Sequence, residues 1–194
     1  MIKMSIIDRL LDIPEKYIYA LLFLALAVPM IKPIGLPIDV TDLTRKYYNA
    51  VEGLTSEDTV FIGYDAVPQT EMEIGLSSRA VLRHLFKRDV NMIIGGSTSV
   101  GPILWEETLK DIGAEEKFLE NYGEKYVYLG FIPGGETAIA ALAANIRAAT
   151  GGIDFYGNKL DDLSLMKDFN GAEDFEYVFA VDETMSDALW YMNQ

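Results

Sequence analysis

Six residues of this 194-residue chain follow short apolar segments, and their types could bind a ligand. Carboxylates and hydroxyls can hydrogen-bond a polar molecule, and glycines at a strand-to-helix turn let backbone N–H groups approach an anion. If parallel strands precede them, these residues meet at the carboxyl edge of one sheet, where open α/β sheets bind ligands. The pattern predicts a site for a small anionic molecule formed by Asp65, Ser97, Thr98, Gly134, Gly135 and Asp182.

A second interpretation gives these residues a purely structural role. The turn Gly134-Gly135-Glu136-Thr137 is neither a dinucleotide fingerprint nor a phosphate loop, and no lysine follows it. A tight turn that leads into a helix also explains it. Asp65 and Asp182 could share a divalent cation or act as an acid–base pair if their strands are neighbours, but capping of a helix or turn is the commoner use of such residues. The sequence therefore predicts no catalytic residue, metal or cofactor.

The single histidine, His84, lies late in a predicted helix, at the border of its apolar face. A Ser-His-Asp triad would need this histidine above the sheet, so the sequence disfavours a catalytic role. Four cations form the opposite face of the same helix, which we interpret as solvated surface or as a contact with an acidic neighbouring subunit. They are Arg79, Arg83, Lys87 and Arg88.

Composition excludes several classes of protein. Thirty acidic and 16 basic side chains give a net charge of −14, which argues against a general nucleic-acid binder. Half of the residues are hydrophobic, which excludes a disordered chain. The absence of cysteine excludes disulfides, cysteine zinc sites and cysteine nucleophiles.

The elements that must position the candidate site repeat one unit, in which a short apolar strand ends at a small or acidic residue and a helix follows. Such alternation produces right-handed crossovers and a mostly parallel sheet covered on both faces. The sequence thus predicts a Rossmann-like, three-layer α/β domain over residues 41–194. Its strands are predicted at 59–64, 91–95, 125–131 and 177–181, and its main helices at 70–88, 102–122, 136–149 and 184–192.

One stretch of this domain, residues 151–174, does not fit the repeat. It is too polar and turn-rich for a regular element and too long for an ordinary connection. We interpret it as an insertion that either caps a site or packs against a neighbouring subunit. Its many aromatic and aliphatic side chains predict that much of it is packed down.

The N-terminal region contains an uncharged apolar run over 17–31. With Pro14 at the first helical position, 14–31 would form a helix of about 27 Å and is predicted to span a membrane. A cleaved signal peptide and a buried core helix are the alternatives. We expect 1–13 to lie on the membrane surface as an amphipathic segment and 32–40 to form a stalk.

The charges that flank the predicted single span do not decide its orientation in the membrane, because three Lys or Arg residues precede the span and three follow it closely. Large domains translocate largely regardless of charge. We therefore expect the N-terminus inside and the α/β domain outside the cytoplasm.

Several segments together resemble a family of bacterial and archaeal membrane-anchored α/β proteins that has no assigned activity. They are the apolar span, PIGLPI, TVFIGYD, YGEKYVYLGFIPGGETAIAAL and IDFYGNKLDDLSLMKD, and the resemblance extends from about residue 26 to residue 182. The PGGE turn is its most specific part. The resemblance implies further sheet elements and a second span after the position of Gln194, so this chain would be a truncated or split member with an open sheet edge. It supplies no catalytic residues.

These observations predict a membrane-anchored, non-enzymatic assembly or scaffold subunit. Its partners would be membrane lipid through 14–31, copies of itself or other envelope proteins. A ligand-binding or sensory domain for a small anionic molecule is the alternative, and a metal-dependent hydrolase is the third interpretation. A scaffold should bury the insertion or the basic helix in an interface, whereas a receptor or enzyme should leave a concave pocket at the strand ends.

Overall fold

A computed structural model describes residues 13–32, 39–69, 71–182 and 184–192. It divides the chain into two units, 1–42 and 43–194. The predicted amphipathic segment over 1–13 and the predicted stalk over 32–40 lie almost entirely outside the described residues.

The first unit contains helix α1, Glu15–Ile31. Pro14 is its N-cap, so the helix begins one residue later than predicted, and the Pro14 carbonyl accepts a hydrogen bond from the Tyr17 N–H at 2.9 Å. None of the 17 residues of α1 is buried. No helix among the described residues is both long enough and apolar enough to cross a membrane, so the predicted span over 14–31 is not supported.

The second unit is built on a four-stranded sheet in the order β3-β2-β1-β4. All three strand pairs are parallel, which confirms the predicted Rossmann-like α/β domain. The strands are β1 Thr59–Tyr64, β2 Asn91–Gly96, β3 Tyr126–Phe131 and β4 Tyr177–Val181.

Seven α-helices accompany the strands in this part of the chain. Two of the predicted helical stretches are divided. In the 102–122 stretch, Gly113, with φ of 68°, ends the first helix. In the 136–149 stretch, the Asn145 side chain caps the second helix by accepting from the Ala148 N–H at 2.9 Å. The helices are α2 Asp42–Gly53, α3 Glu71–Arg88, α4 Gly101–Ile112, α5 Glu115–Glu120, α6 Glu136–Ala144, α7 Ile146–Thr150 and α8 Met185–Met192.

Both faces of the sheet carry a hydrophobic core, as the uninterrupted apolar strands predict. Val60 and Ile62 of β1 face a core that contains Trp105, whereas Phe61 between them faces the other core. The Trp105 ring lies 5.3 Å from the Tyr64 ring, in an edge-on arrangement. Side chains alternate between the two faces of a strand, so burial on both sides requires the continuous apolar runs seen in the sequence.

The insertion over 151–174 forms three short 3₁₀ helices, Leu160–Asp162, Leu165–Asp168 and Ala172–Asp174. Leu160 and Met166 are buried in the core, which confirms that part of the segment is packed down. The Phe155 N–H donates to the Tyr128 carbonyl at 2.9 Å, on β3. The insertion therefore packs against its own domain, along one edge of the sheet.

Candidate functional site

Three of the predicted site residues meet at the carboxyl end of β1. Asp65 is 4% exposed, and its carboxylate accepts hydrogen bonds from the Ser97 N–H and from the Tyr191 hydroxyl, the latter at 2.5 Å. The Thr98 hydroxyl donates to the Asp65 carbonyl at 3.4 Å. The structure thus brings Asp65, Ser97 and Thr98 together and satisfies the carboxylate from within the chain.

Helix α8 lies over this strand end. The Tyr191 ring packs so closely on Gly63 that a Cβ there would come within 2.5 Å of the ring. Burial and the Asp65 carboxylate raise the pKa of the Tyr191 phenol, which keeps the hydroxyl protonated as a donor. Trp190 approaches Gly135, where a Cβ would lie 3.5 Å from the indole. The predicted crevice is filled by α8 at these points, and ligand binding there stays a prediction.

The two glycines form the tight turn that the second interpretation predicts. Gly134 and Gly135 have φ of 129° and 56°, in the region that favours glycine. The Gly135 carbonyl accepts from the Ala138 N–H at 3.0 Å, within the first turn of α6.

Asp182 follows β4, which neighbours β1, so the two carboxylates of the metal interpretation do follow adjacent strands. The Asp182 carboxylate accepts from the Thr184 N–H at 3.2 Å, an arrangement typical of a turn before a helix. Within the described ranges, no group of three or more His, Asp or Glu residues could hold a metal ion.

A groove that the sequence reasoning missed lies between α2 and α3 and reaches down to β4. Its volume is about 920 Å³, within the range of small-molecule sites. Buried apolar side chains form its floor: Val51, Ile62, Leu82 and Phe179.

Contacts between α2 and α3 bridge one end of this groove. His84 Nε2 lies 2.6 Å from Glu52 Oε2, and the His84 ring lies 4.9 Å from the Tyr48 ring. The hydrogen bond with His84 is the main cause that holds the pKa of the Glu52 carboxyl below its ordinary value. Tyr47 packs edge-on against Phe179, and burial raises the pKa of its phenol to about 12.

The basic face of α3 is partly used inside the domain. Arg79 forms ion pairs with Glu71 at 2.6 Å and with Asp111 at 3.0 Å, and Arg83 donates to the Asp111 carbonyl. Lys87 is exposed on the groove, and no hydrogen bond or ion pair with a described residue engages its ammonium.

The outer edge of β3 is covered by neighbouring chain at Tyr126 and Tyr128. The Tyr126 carbonyl accepts from the Gly123 N–H at 2.8 Å. The Tyr128 N–H donates to the Tyr122 hydroxyl at 3.1 Å, and the Tyr128 carbonyl accepts from the Phe155 N–H. This edge therefore offers no free backbone groups at these positions.

The outer edge of β4 is different. The Asp65 N–H donates to the Val181 carbonyl at 2.8 Å, and Phe179 pairs with Ile62, so the alternation of a parallel ladder turns the backbone groups of Val178 and Ala180 away from β1. Among the described residues, none forms a hydrogen bond with those groups. Tyr177 and Val178 are 42% and 39% exposed.

Comparison with protein-family models, with curated proteins and with solved structures finds no match to this chain. The resemblance to a membrane-anchored family therefore stays a prediction, and functional arguments rest on the geometry of the α/β domain.

Proposed function

We propose that this chain is a non-enzymatic assembly subunit, whose α/β domain pairs the outer edge of β4 with a strand of a partner protein. The observation that carries the proposal is the contrast between the two edges of one sheet. Folded proteins cover or blunt exposed strand edges, as the insertion does for β3. A bare edge is the surface that β-strand addition uses.

The sequence of β4 suits this role. YVFAV combines β-branched and aromatic residues and carries no charge, which favours pairing over solvation. The backbone of Val178 and Ala180 offers outward-facing donors and acceptors, and the exposed side chains of Tyr177 and Val178 offer apolar contact.

The charges that flank β4 favour a basic partner strand over a second copy of this chain. Glu176 and Asp182 flank β4, and the whole chain has a net charge of −14. In an antiparallel pairing of two copies centred on Phe179, Glu176 would oppose Asp182 of the partner subunit, and like charges opposite each other destabilise a pair. A strand of another protein that carries Lys or Arg at both ends fits better than a second copy.

Attachment to a membrane is the second element of the proposal and rests on α1. Its apolar side chains, including Leu21 and Phe23 at 70% exposure each, have no cover in the described structure. Contact with lipid would bury them. The side of the membrane on which the domain lies stays a prediction.

The test uses a labelled probe peptide, Lys-Thr-Val-Thr-Val-Thr-Lys, and fluorescence anisotropy on the full chain. We expect saturable binding that Val178→Pro reduces about tenfold or more, because proline removes an outward N–H without removing a bond to β1. The matched control Val178→Thr keeps that N–H and should bind like the unchanged chain.

A charge reversal keeps the test decisive if the proline variant folds poorly. Glu176→Lys should weaken binding of the Lys-flanked probe and strengthen binding of the same peptide flanked by Glu. Equal binding of both probes by every variant would overturn the proposal. A stable homodimer through β4 in native mass spectrometry would also overturn the choice of a basic partner strand.

A further inference from the structure

The groove between α2 and α3 has a buried apolar lining that has no role in the proposed assembly. Val51 of α2, Leu82 of α3 and Ile62 of β1 belong to its lining and are each 1% exposed. Three elements therefore present a continuous apolar floor beneath an opening on the surface. Such a floor binds apolar ligand atoms, because burial removes their surface from water.

The charge of the groove is opposite to that of the chain. Three cationic side chains line it, Arg83, Lys87 and Arg88, against two carboxylates, Glu52 and Asp182. The whole chain has 30 acidic and 16 basic side chains. Glu52 contacts His84 at 2.6 Å and Arg88 at 3.9 Å, which leaves Arg83 and Lys87 without a carboxylate partner among the described lining residues.

The cations cluster at the end of α3. Lys87 lies four residues after Arg83, so both side chains point from one side of the helix. Asp182 follows the carboxyl end of β4. The last turn of α3 lies toward the opposite end of the sheet, because the start of β2 follows it. An anionic head group is therefore favoured beside Lys87 and disfavoured beside Asp182.

Contacts between α2 and α3 limit the shape of the occupant at one end of the groove. There the Tyr48 ring lies 4.9 Å from the His84 ring, and Glu52 Oε2 lies 2.6 Å from His84 Nε2. A helix with its side chains has a diameter of about 10 Å and would have to break these contacts, whereas a single alkyl chain is narrower.

We propose that this groove binds a fatty acid, with the alkyl chain on the apolar floor and the carboxylate beside Lys87. The Tyr47 hydroxyl, which stays protonated at neutral pH, adds a donor to the groove lining. The groove does not include Asp65, whereas Phe179 and Ala180 of β4 belong to its lining.

The test is isothermal titration calorimetry of the full chain with dodecanoate at concentrations below micelle formation. We expect one molecule per chain, and about tenfold weaker binding of dodecyltrimethylammonium, which has an alkyl chain of similar length and the opposite charge. No binding of dodecanoate, or equal binding of the cation, would overturn the proposal.

Two pairs of variants locate the ligand. Ala80→Trp fills the groove from an exposed position of α3 and should abolish binding, whereas Leu76→Trp, on the same helix but outside the lining, should leave it unchanged. Lys87→Glu should weaken binding about tenfold, whereas Lys110→Glu, exposed on α4, should not.

Circular dichroism verifies that each variant is folded. Dodecanoate binding that survives both Ala80→Trp and Lys87→Glu would place the ligand elsewhere and overturn the proposal.

Discussion

The Tyr191 hydroxyl donates a hydrogen bond of 2.5 Å to the buried Asp65 carboxylate, across 126 positions of sequence. This contact ties the last described helix to the end of the first strand. It also explains how a carboxylate that is 4% exposed is accommodated, because Ser97 supplies a second donor from the main chain. The residue predicted to bind an anion thus stabilises the closure of the domain.

Removal of this donor should destabilise the fold. Tyr191→Phe keeps the ring over Gly63 but leaves one Asp65 oxygen without its partner, at a cost of about 1.5–3 kcal/mol, the range for hydrogen bonds to charged groups. The measurement is the free energy of unfolding in urea. Tyr177→Phe, at an exposed position, is the control and should change it by less than about 0.5 kcal/mol. Equal effects of the two substitutions would show that the contact contributes nothing specific.

The close approach of the Tyr191 ring to β1 gives a second prediction. Gly63→Ala places a Cβ about 2.5 Å from the ring, so α8 must shift, and we expect a loss of about 1–3 kcal/mol. At Gly53 nothing lies within 4 Å of an added Cβ, and Gly53→Ala should be neutral or slightly stabilising. Thermal unfolding of both variants checks this; a Gly63→Ala variant as stable as Gly53→Ala would contradict the packing.

Arg147 holds the insertion on the domain. Its guanidinium donates to the carbonyls of Met166 and Phe169, at 2.6 and 2.7 Å, and also to Asp161 and Asn170. We expect Arg147→Lys to lose most of this stabilisation, about 2–3 kcal/mol, because an ammonium cannot reproduce the planar fork.

Limited proteolysis of the insertion, combined with urea unfolding, measures this effect of Arg147→Lys. Lys167→Arg, at an exposed position in the same segment, is the matched control and should leave both readouts unchanged. An unchanged cleavage rate in Arg147→Lys would contradict the role of Arg147.

Alkaline pH should destabilise the domain. Burial raises the pKa of Tyr64 to about 12 and also raises that of Tyr126 and Tyr128. The unfolded chain loses these protons near pH 10, while the folded domain retains them, so stability is fully present below pH 10 and falls above it. Ultraviolet titration of tyrosinate, combined with urea unfolding between pH 9 and pH 12, tests this. Constant stability over that range would contradict the burial of these phenols.

The sequence predicts the α/β domain well, because the patterns that indicate strands and their ends are local in the sequence. Continuous apolar runs such as TVFIGY mark doubly buried strands, and Gly or Asp residues mark their ends. The meeting of Asp65 with Ser97 follows from the same logic, since parallel strands end at one edge.

Other features depend on distances between elements that are remote in sequence. No pattern around Trp190 or Tyr191 indicates that α8 returns to cover Gly63 and Gly135. The groove likewise depends on how far α2 lies from α3, and spacing within either helix does not determine that distance. The apolar run of α1 predicts a membrane span, which the described helix does not support.

The open edge of β4 is the central claim, and amide hydrogen exchange measured by NMR tests it most directly. In the free chain we expect the Val178 and Ala180 amides to exchange quickly, while the Tyr128 amide, bonded to the Tyr122 hydroxyl, exchanges slowly. Addition of the Lys-flanked probe peptide should slow Val178 and Ala180 and leave Tyr128 unchanged. Slow exchange at Val178 and Ala180 in the free chain, or no change with the probe, would contradict the account.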